Sequence, residues 1–305
     1  MTRKEFVTKS IDSLSEIYTL PEARSLALRV ILHFLNLSEY EYLIDSAVVI
    51  PKSDLVPLQN AVTELLESKP IQYVIGYELF AGHRFTVNES VLIPRPETEQ
   101  LFRIICEEWK KSHFQELKIF DACTGSGCLA WSLAAEFPKA SVYGCDLSAE
   151  ALETAASQKI HLDTDGNQPV KNPPYFFKWD ILEGPPQENE RKRYPEFPDL
   201  TDLDILVSNP PYVCLQEREM MSANVLDWEP GMALFVPDEN PLRFYRALGE
   251  WMTACLRSGG QAYFEINETY GRDTVALFES QGFSEVTLHR DFRGKDRFIS
   301  LVKWF

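Results

Sequence analysis

No run of 18 or more apolar residues occurs in the 305-residue chain, so no segment is long enough to cross a bilayer as a helix. Met1 to Leu20 is charged and polar and lacks the apolar centre of a secretory signal, so a cytoplasmic location is expected. Cysteine is sparse: Cys106, Cys123, Cys128, Cys145, Cys214 and Cys255 include no C-x-x-C pair. That spacing excludes the usual zinc and thioredoxin motifs and leaves buried thiols in a reducing compartment. Histidine is equally thin, and His33, His83, His113, His161 and His289 have no metal-ligand spacing, so no metal is expected. Positive charge is in deficit, with 30 Lys and Arg against 46 Asp and Glu, a net −16. Such a surface repels a polyanion, which argues against direct DNA or RNA binding and favours a protein partner with a basic surface. No internal repeat is visible.

What is present divides into stretches of different period. Residues 1 to about 70 read as helical. Pro21-Glu22-Ala23-Arg24 can open a helix, and Leu26, Val30, Ile31, Phe34 and Leu35 recur at three- and four-residue spacing. Leu55, Leu58, Val62, Leu65 and Leu66 mark a second apolar face. Helices this short need one another, which predicts a small bundle. From Ile71 to Val91, alternation at Tyr73, Ile75, Tyr77 and Leu79, then Phe85 and Val87, around Ala81-Gly82-His83, predicts a β-hairpin. The prolines of Leu92-Ile93-Pro94-Arg95-Pro96 force an extended path before a helix over 97–111.

After residue 116, strands and helices alternate. Strands are expected at 118–122, 140–145, 175–178, 205–208, 261–266, 285–289 and 298–303. This pattern predicts an α/β fold: a mostly parallel sheet covered on both faces, with ligands at the carboxyl ends of its strands. Residues 163–203 interrupt it with Asp163-Thr164-Asp165-Gly166-Asn167 and a Pro-rich, charged run containing Arg191-Lys192-Arg193, which reads as exposed loops.

Lys118-Ile119-Phe120-Asp121-Ala122-Cys123-Thr124-Gly125-Ser126-Gly127-Cys128 is a strand, a tight glycine turn and a helix start. Gly125 and Gly127 let a ligand approach the main chain, and the helix aims free N–H groups at it. Gly125-x-Gly127-x-x-Ala130 also satisfies a dinucleotide fingerprint, so NAD is an alternative. Asp146 ends the next strand 19 residues after Gly127, the spacing of an acid that holds ribose hydroxyls; it could also cap the next helix. Asp121 can face a cationic amino-acid moiety rather than a pyrophosphate, which favours S-adenosyl-L-methionine. Asp180 is a candidate for the adenine amine, with Trp179 or Ile181 packing beside it.

Asp204-Ile205-Leu206-Val207-Ser208-Asn209-Pro210-Pro211-Tyr212 is an apolar strand running into a loop with two prolines. Neither proline has an N–H, and both hold φ near −65°. The Asn209 side-chain oxygen and the Pro210 carbonyl can accept both hydrogens of one NH2 group, and Tyr212 can pack on the flat face of an amide or base. An amide nitrogen is a poor nucleophile because its lone pair is delocalised. Two acceptors can orient it and stabilise the positive charge that develops during methylation.

Together with Pro70-Ile71-Gln72-Tyr73-Val74-Ile75-Gly76, Phe80-Ala81-Gly82 and Leu92-Ile93-Pro94-Arg95-Pro96-Glu97-Thr98-Glu99, these motifs resemble the release-factor glutamine methyltransferases, the PrmC/HemK family, over essentially the whole chain. The resemblance implies an N-terminal helical substrate-recognition domain (1–72), a β-hairpin linker (73–95) and a seven-stranded Rossmann-like methyltransferase domain (96–305). It implies S-adenosyl-L-methionine as donor, held by Asp121, Cys123, Thr124, Gly125, Ser126, Gly127, Asp146, Asp180 and Ile181, with Asn209 beside it. The implied acceptor is the glutamine amide of the Gly-Gly-Gln motif in class I peptide chain release factors, bound by Asn209, Pro210, Pro211 and Tyr212. A monomer is expected. Cys123 stands where the family has glycine, so the first turn is expected to differ slightly, and segment 163–203 is longer than usual. The alternatives are a DNA adenine methyltransferase, a ribosomal-protein glutamine methyltransferase, a nucleoside-binding module without chemistry, and an NAD oxidoreductase.

Overall fold

The computed structural model describes residues 1–112, 116–161, 168–186 and 197–305. His113, the turn at 163–167 and the basic cluster at 191–193 lie outside the described residues. Two compact units are present. The first comprises Met1–Tyr77 with Met221–Trp228, and the second Glu78–Met220 with Glu229–Phe305. Most of the hairpin falls with the sheet, and the later segment Met221–Trp228 falls with the helices.

The helical unit contains α1 (Arg3–Leu14), α2 (Leu20–Phe34), α3 (Glu39–Ile44), α4 (Lys52–Leu66) and α5 (Ile71–Ile75). Reciprocal caps start α1 and α3. The Glu5 N–H donates to Thr2 Oγ1 (3.1 Å) and the Thr2 N–H returns to Glu5 Oε2 (2.8 Å), with the same exchange between Ser38 and Glu41. Leu14, Ala27, Val30, Ile31, Leu58 and Leu65 are fully buried in one cluster. Leu66, expected on the inward face, is exposed, since one residue beyond Leu65 lies about 100° further round the helix. Residues 71–75, expected as strand, are helical. Pro70 precedes the first turn and Gly76 closes it at φ 79°, the proline-first, glycine-last arrangement of a short helix.

In the second unit, β1 (Tyr77–Phe80) and β2 (His83–Thr86) form the hairpin. Ala81 and Gly82 take φ of 50° and 80°, the left-handed pair of a tight two-residue turn. The hairpin is tied to the sheet unit at three points. Gln158 brackets Thr86, accepting from its N–H and donating to its carbonyl, both at 2.9 Å. The Ala81 N–H donates to Glu99 (3.1 Å), and Phe80 and Phe85 are buried against Leu101 and Ile105.

Then follow α6 (Pro96–Trp109), β3 (Lys118–Ala122), α7 (Cys128–Glu136), β4 (Ser141–Asp146), α8 (Ala149–Ser157), β5 (Tyr175–Lys178) and β6 (Leu203–Ser208). After these come β7 (Val213–Cys214), α9 (Ala223–Leu226, in the helical unit), β8 (Phe235–Val236), α10 (Arg243–Cys255), β9 (Leu256–Glu265), α11 (Gly271–Ser280), β10 (Ser284–Arg290) and β11 (Asp296–Lys303). The seven-stranded sheet has the order β10-β11-β9-β6-β3-β4-β5. Only β11 runs antiparallel to its neighbours.

Alternate residues serve opposite faces, as a pleat covered on both sides requires. Ile119, Ile205 and Tyr263 enter one core with α6 and α7, whereas Phe120, Leu206 and Phe264 enter the other with α10 and α11. The chain leaves β3 toward β4 and β5 on one side, and leaves β6 toward β9 on the other. The carboxyl ends of β3 and β6 therefore flank the point where winding reverses, where such sheets open a crevice. There the buried Ser208 hydroxyl donates to the Ala122 carbonyl (2.6 Å) and ties the two strand ends together.

Candidate active site

At the end of β3 the chain turns through Cys123, Gly125 and Gly127, all with positive φ (60°, 54° and 77°). Cys123 thus adopts the left-handed conformation that glycine favours. A left-handed non-glycine residue costs about 1–2 kcal/mol, and the surrounding bonds hold it. The Thr124 N–H donates to the Cys145 carbonyl (2.8 Å), and the Gly127 N–H to the Thr124 carbonyl (2.9 Å). A Cβ on Gly127 would meet Ala155, Trp131 and Phe176 side chains at 3.0–3.2 Å, so this glycine serves close helix packing. A Cβ on Gly125 would meet nothing within 4 Å, because that side opens to a cavity.

The cavity has a volume of about 350 Å³ and lies over the carboxyl ends of β3, β4, β5 and β6. Asp121, Cys123, Thr124, Gly125, Ser126, Asp146, Asp180, Ile181, Asn209 and Pro211 all line it. Gly127, Pro210 and Tyr212 do not. Asp121 is buried. Its Oδ2 accepts from the Thr124 hydroxyl (2.6 Å) and the Ala130 N–H (3.2 Å), while Oδ1 is buried without a partner. Burial pushes its carboxyl up to about 7 against the pull of those two donors. An unpartnered carboxylate oxygen on an otherwise largely apolar wall fits a cationic ligand group.

Asp146 does not cap α8; that role falls to Ser148, whose hydroxyl oxygen accepts from the Ala151 N–H at 3.1 Å. The Asp146 carboxylate instead accepts from the Gly125 N–H (2.9 Å) and the Ser148 N–H (3.0 Å), strapping the glycine turn to the end of β4. Burial raises its pKa, against those backbone donors. Asp180 accepts from the Leu182 N–H (2.9 Å) in the 3-10 turn that presents Ile181. Trp179 reaches the cavity too, its indole N–H donating to the Gly184 carbonyl (2.9 Å).

The opposite wall carries the Asn-Pro-Pro-Tyr loop. Asn209 Nδ2 donates to Thr98 Oγ1 (3.1 Å), and the Thr98 hydroxyl donates to Glu265 Oε2 (2.6 Å). The Tyr212 hydroxyl donates to the other Glu265 oxygen (2.8 Å). Tyr212 does not line the cavity and serves as a strut. Its ring packs on the core behind the cavity, and Asn267 Nδ2 donates to its carbonyl at 3.2 Å. Burial raises the pKa of both Tyr212 and Glu265.

Sequence reasoning assigned no role to Thr98, Glu265 or Glu229. Glu265 left a signal, as a carboxylate at the end of an apolar strand, where such sheets bind ligands. Thr98 was visible only as part of the Pro94–Glu99 motif, whose side chains now have separate tasks. Arg95 pairs with the buried Glu229 (2.6 Å), which also accepts from the Ile93 N–H (3.2 Å). Glu99 holds the hairpin turn, and Thr98 holds Asn209. Nothing in the local pattern marks Glu229.

A dinucleotide-binding sheet is mostly parallel, built from two βαβαβ halves. Here the antiparallel β11 is inserted between β9 and β10, and the cavity offers an unpartnered acid to its ligand. Fold and site together define an S-adenosyl-L-methionine-dependent methyltransferase. No family model matches the chain. It is 38% identical over 288 residues to the release factor glutamine methyltransferase of Bacteroides thetaiotaomicron, covering 94% of this chain and 95% of that protein. Identity to the enzyme of the same name from Flavobacterium psychrophilum is 37% over 302 residues, 99% of each chain. The chain belongs to the release factor glutamine methyltransferase family. A solved protein-(glutamine-N5) methyltransferase from Alicyclobacillus acidocaldarius superimposes with a TM-score of 0.41 at 24% identity, over 72% of this chain and 100% of that one.

Proposed function

We propose that this protein methylates the side-chain amide nitrogen of the glutamine in the Gly-Gly-Gln motif of class I peptide chain release factors, in the cytoplasm, as a monomer and without binding DNA. One observation carries the reading. The Asn209 amide turns its NH2 toward Thr98, so its carbonyl oxygen is the end left for a ligand at the cavity wall. A carbonyl oxygen beside Pro210, which has no N–H, makes a pair of acceptors for an NH2 group.

S-adenosyl-L-methionine, when bound, supplies an electrophilic methyl group on a sulfonium. Asp121 would hold its ammonium with the unpartnered oxygen, Asp146 its ribose hydroxyls, and Asp180 with Ile181 its adenine. Cys123 to Gly127 would supply main-chain contacts. Asn209 Oδ1 and the Pro210 carbonyl would accept the two amide hydrogens. Orienting the nitrogen removes motion that the reaction would otherwise have to restrict, and both dipoles stabilise its developing positive charge. The transfer breaks the sulfur–methyl bond, forms a nitrogen–methyl bond and releases one amide proton to solvent. The helical unit, 1–77, would recognise the body of the release factor. An acidic chain of net charge −16 complements a basic partner better than it does DNA.

Transfer of labelled methyl to a purified class I release factor tests this, run beside its Gln→Ala variant in the Gly-Gly-Gln motif and beside unmethylated DNA. Label on the unmodified factor alone is expected. Label on DNA, or equal label on the Gln→Ala variant, refutes the acceptor.

A further inference from the structure

Behind Asn209 lies a chain of hydrogen bonds whose direction is set at its far end. Glu265 does not line the cavity, and it is 1% exposed. As a carboxylate it only accepts. Its Oε2 takes the Thr98 hydroxyl hydrogen (2.6 Å) and its Oε1 the Tyr212 hydroxyl hydrogen (2.8 Å). Thr98 has one hydroxyl hydrogen, which is thereby used. It can offer Asn209 nothing but lone pairs.

Only the NH2 end of the Asn209 amide can pair with a lone pair, and it does so at 3.1 Å. The flipped amide would set two acceptors against each other and leave Thr98 Oγ1 without a donor. Burial raises the Glu265 pKa, and the Thr98 and Tyr212 hydroxyl donors and Arg297 from β11 work against that rise. The polarity rests on the geometry, in which two hydroxyl groups converge on the two carboxyl oxygens. Three residues from α6, the β6 loop and β9 thus act as one relay.

We propose that Thr98 and Glu265 are positioning residues that lock the Asn209 amide with its carbonyl oxygen toward the methyl acceptor, and so select an acceptor bearing NH2. This rests on the function proposed above, since the locked oxygen is the group that would accept from the glutamine amide. An acceptor presenting only a carbonyl or a deprotonated oxygen would meet like polarity. The lock also explains why a threonine sits in the Pro94–Glu99 motif. A valine of the same shape would fill the space without transmitting the direction.

The test uses the full chain as wild type, Thr98→Val and Thr98→Ser, with methyl transfer to a purified release factor and calorimetric binding of S-adenosylhomocysteine. Thr98→Val is expected to lose at least about 10-fold in kcat, the scale of one misdirected polar contact to a reacting centre, with cofactor-product affinity within about 2-fold. Serine keeps the hydroxyl, so Thr98→Ser should retain about half the wild-type kcat or more. Thr98→Val with more than half the wild-type kcat, or Thr98→Ser as impaired as Thr98→Val, would overturn the proposal. A wild type that transfers no label would instead refute the glutamine reading. The relay is then judged by NMR on unmutated, 15N-asparagine-labelled protein with S-adenosylhomocysteine. One slowly exchanging Asn209 side-chain proton supports the lock, and two exchanging as freely as a solvated amide overturn it.

Discussion

The two walls of the cavity are built in different ways. The glycine-turn wall is held largely by main-chain donors. Its bonds join Thr124 N–H to the Cys145 carbonyl, Gly127 N–H to the Thr124 carbonyl and Gly125 N–H to Asp146, and its shape depends on three positive-φ residues within five positions. The Asn209 wall is held by side chains from residues 98, 209, 212 and 265, far apart in the chain. A backbone cradle tolerates a change of side chain, as Cys123 shows by standing in a left-handed position. A side-chain relay does not, because removing one member leaves a buried polar group unpaired. The first wall suits a constant ligand, and the second suits discrimination between acceptors.

Mutations can sharpen or break this contrast. Asn209→Ala should lower kcat by about 100-fold or more while cofactor affinity stays within about 3-fold. A fall in affinity that matched the fall in turnover would show that the walls are not separable. Asp146→Ala should act in the opposite sense, weakening S-adenosylhomocysteine about 10- to 30-fold with a smaller effect on kcat at saturating cofactor. Calorimetry and steady-state rates on the same preparation decide it, and an unchanged Kd would remove Asp146 from the ligand's reach.

Asp121 gives a pH signature to the first wall. Its folded pKa is raised to about 7, so the stability from its bound proton is complete below the ordinary carboxylate range and lost as pH rises through about 7. Ligand binding runs the other way, since a cationic amino group prefers the ionised acid. Affinity for S-adenosylhomocysteine should tighten by up to about 10-fold between pH 6 and 8. Asp121→Asn should flatten that profile, and a wild-type profile already flat would show that Asp121 does not face the cation. The smallest effect is expected at Cys123. Its φ of 60° strains a side chain but not a glycine. Cys123→Gly should therefore stabilise the protein by about 0.5–1 kcal/mol, read as a rise of a few degrees in Tm. A lower Tm would mean that the half-buried thiol contributes more than the strain costs.

The same contrast decides what could be read in advance. The turn after β3 is local: a strand, an acid, two spaced glycines and a helix are contiguous, so Asp121, Gly125 and Asp146 stood out from spacing alone. Six of the seven strands lie within two residues of their expected limits, because apolar runs bounded by turns carry that information locally, whereas β9 starts five residues before the expected 261. Residues 71–75 read as strand from their pattern because five residues rich in apolar positions fit either period, and it is Pro70 and Gly76 that mark the helix. The return of Met221–Trp228 to the helical unit leaves no mark in composition. There the Trp228 indole N–H meets the Glu67 carbonyl (3.2 Å), and Lys69 lies 4.9 Å over its ring.

From sequence alone came the α/β class, the acid and glycines of one wall, and the Asn-Pro-Pro-Tyr loop of the other, because each is a short-range pattern set by backbone geometry. Tertiary structure decided which way the Asn209 amide points, that Tyr212 braces Glu265 rather than lining the cavity, and that Asp146 straps the glycine turn. Those facts depend on hydrogen-bond polarity between groups distant along the chain, and polarity of that kind exists only once the fold has brought donor and acceptor together.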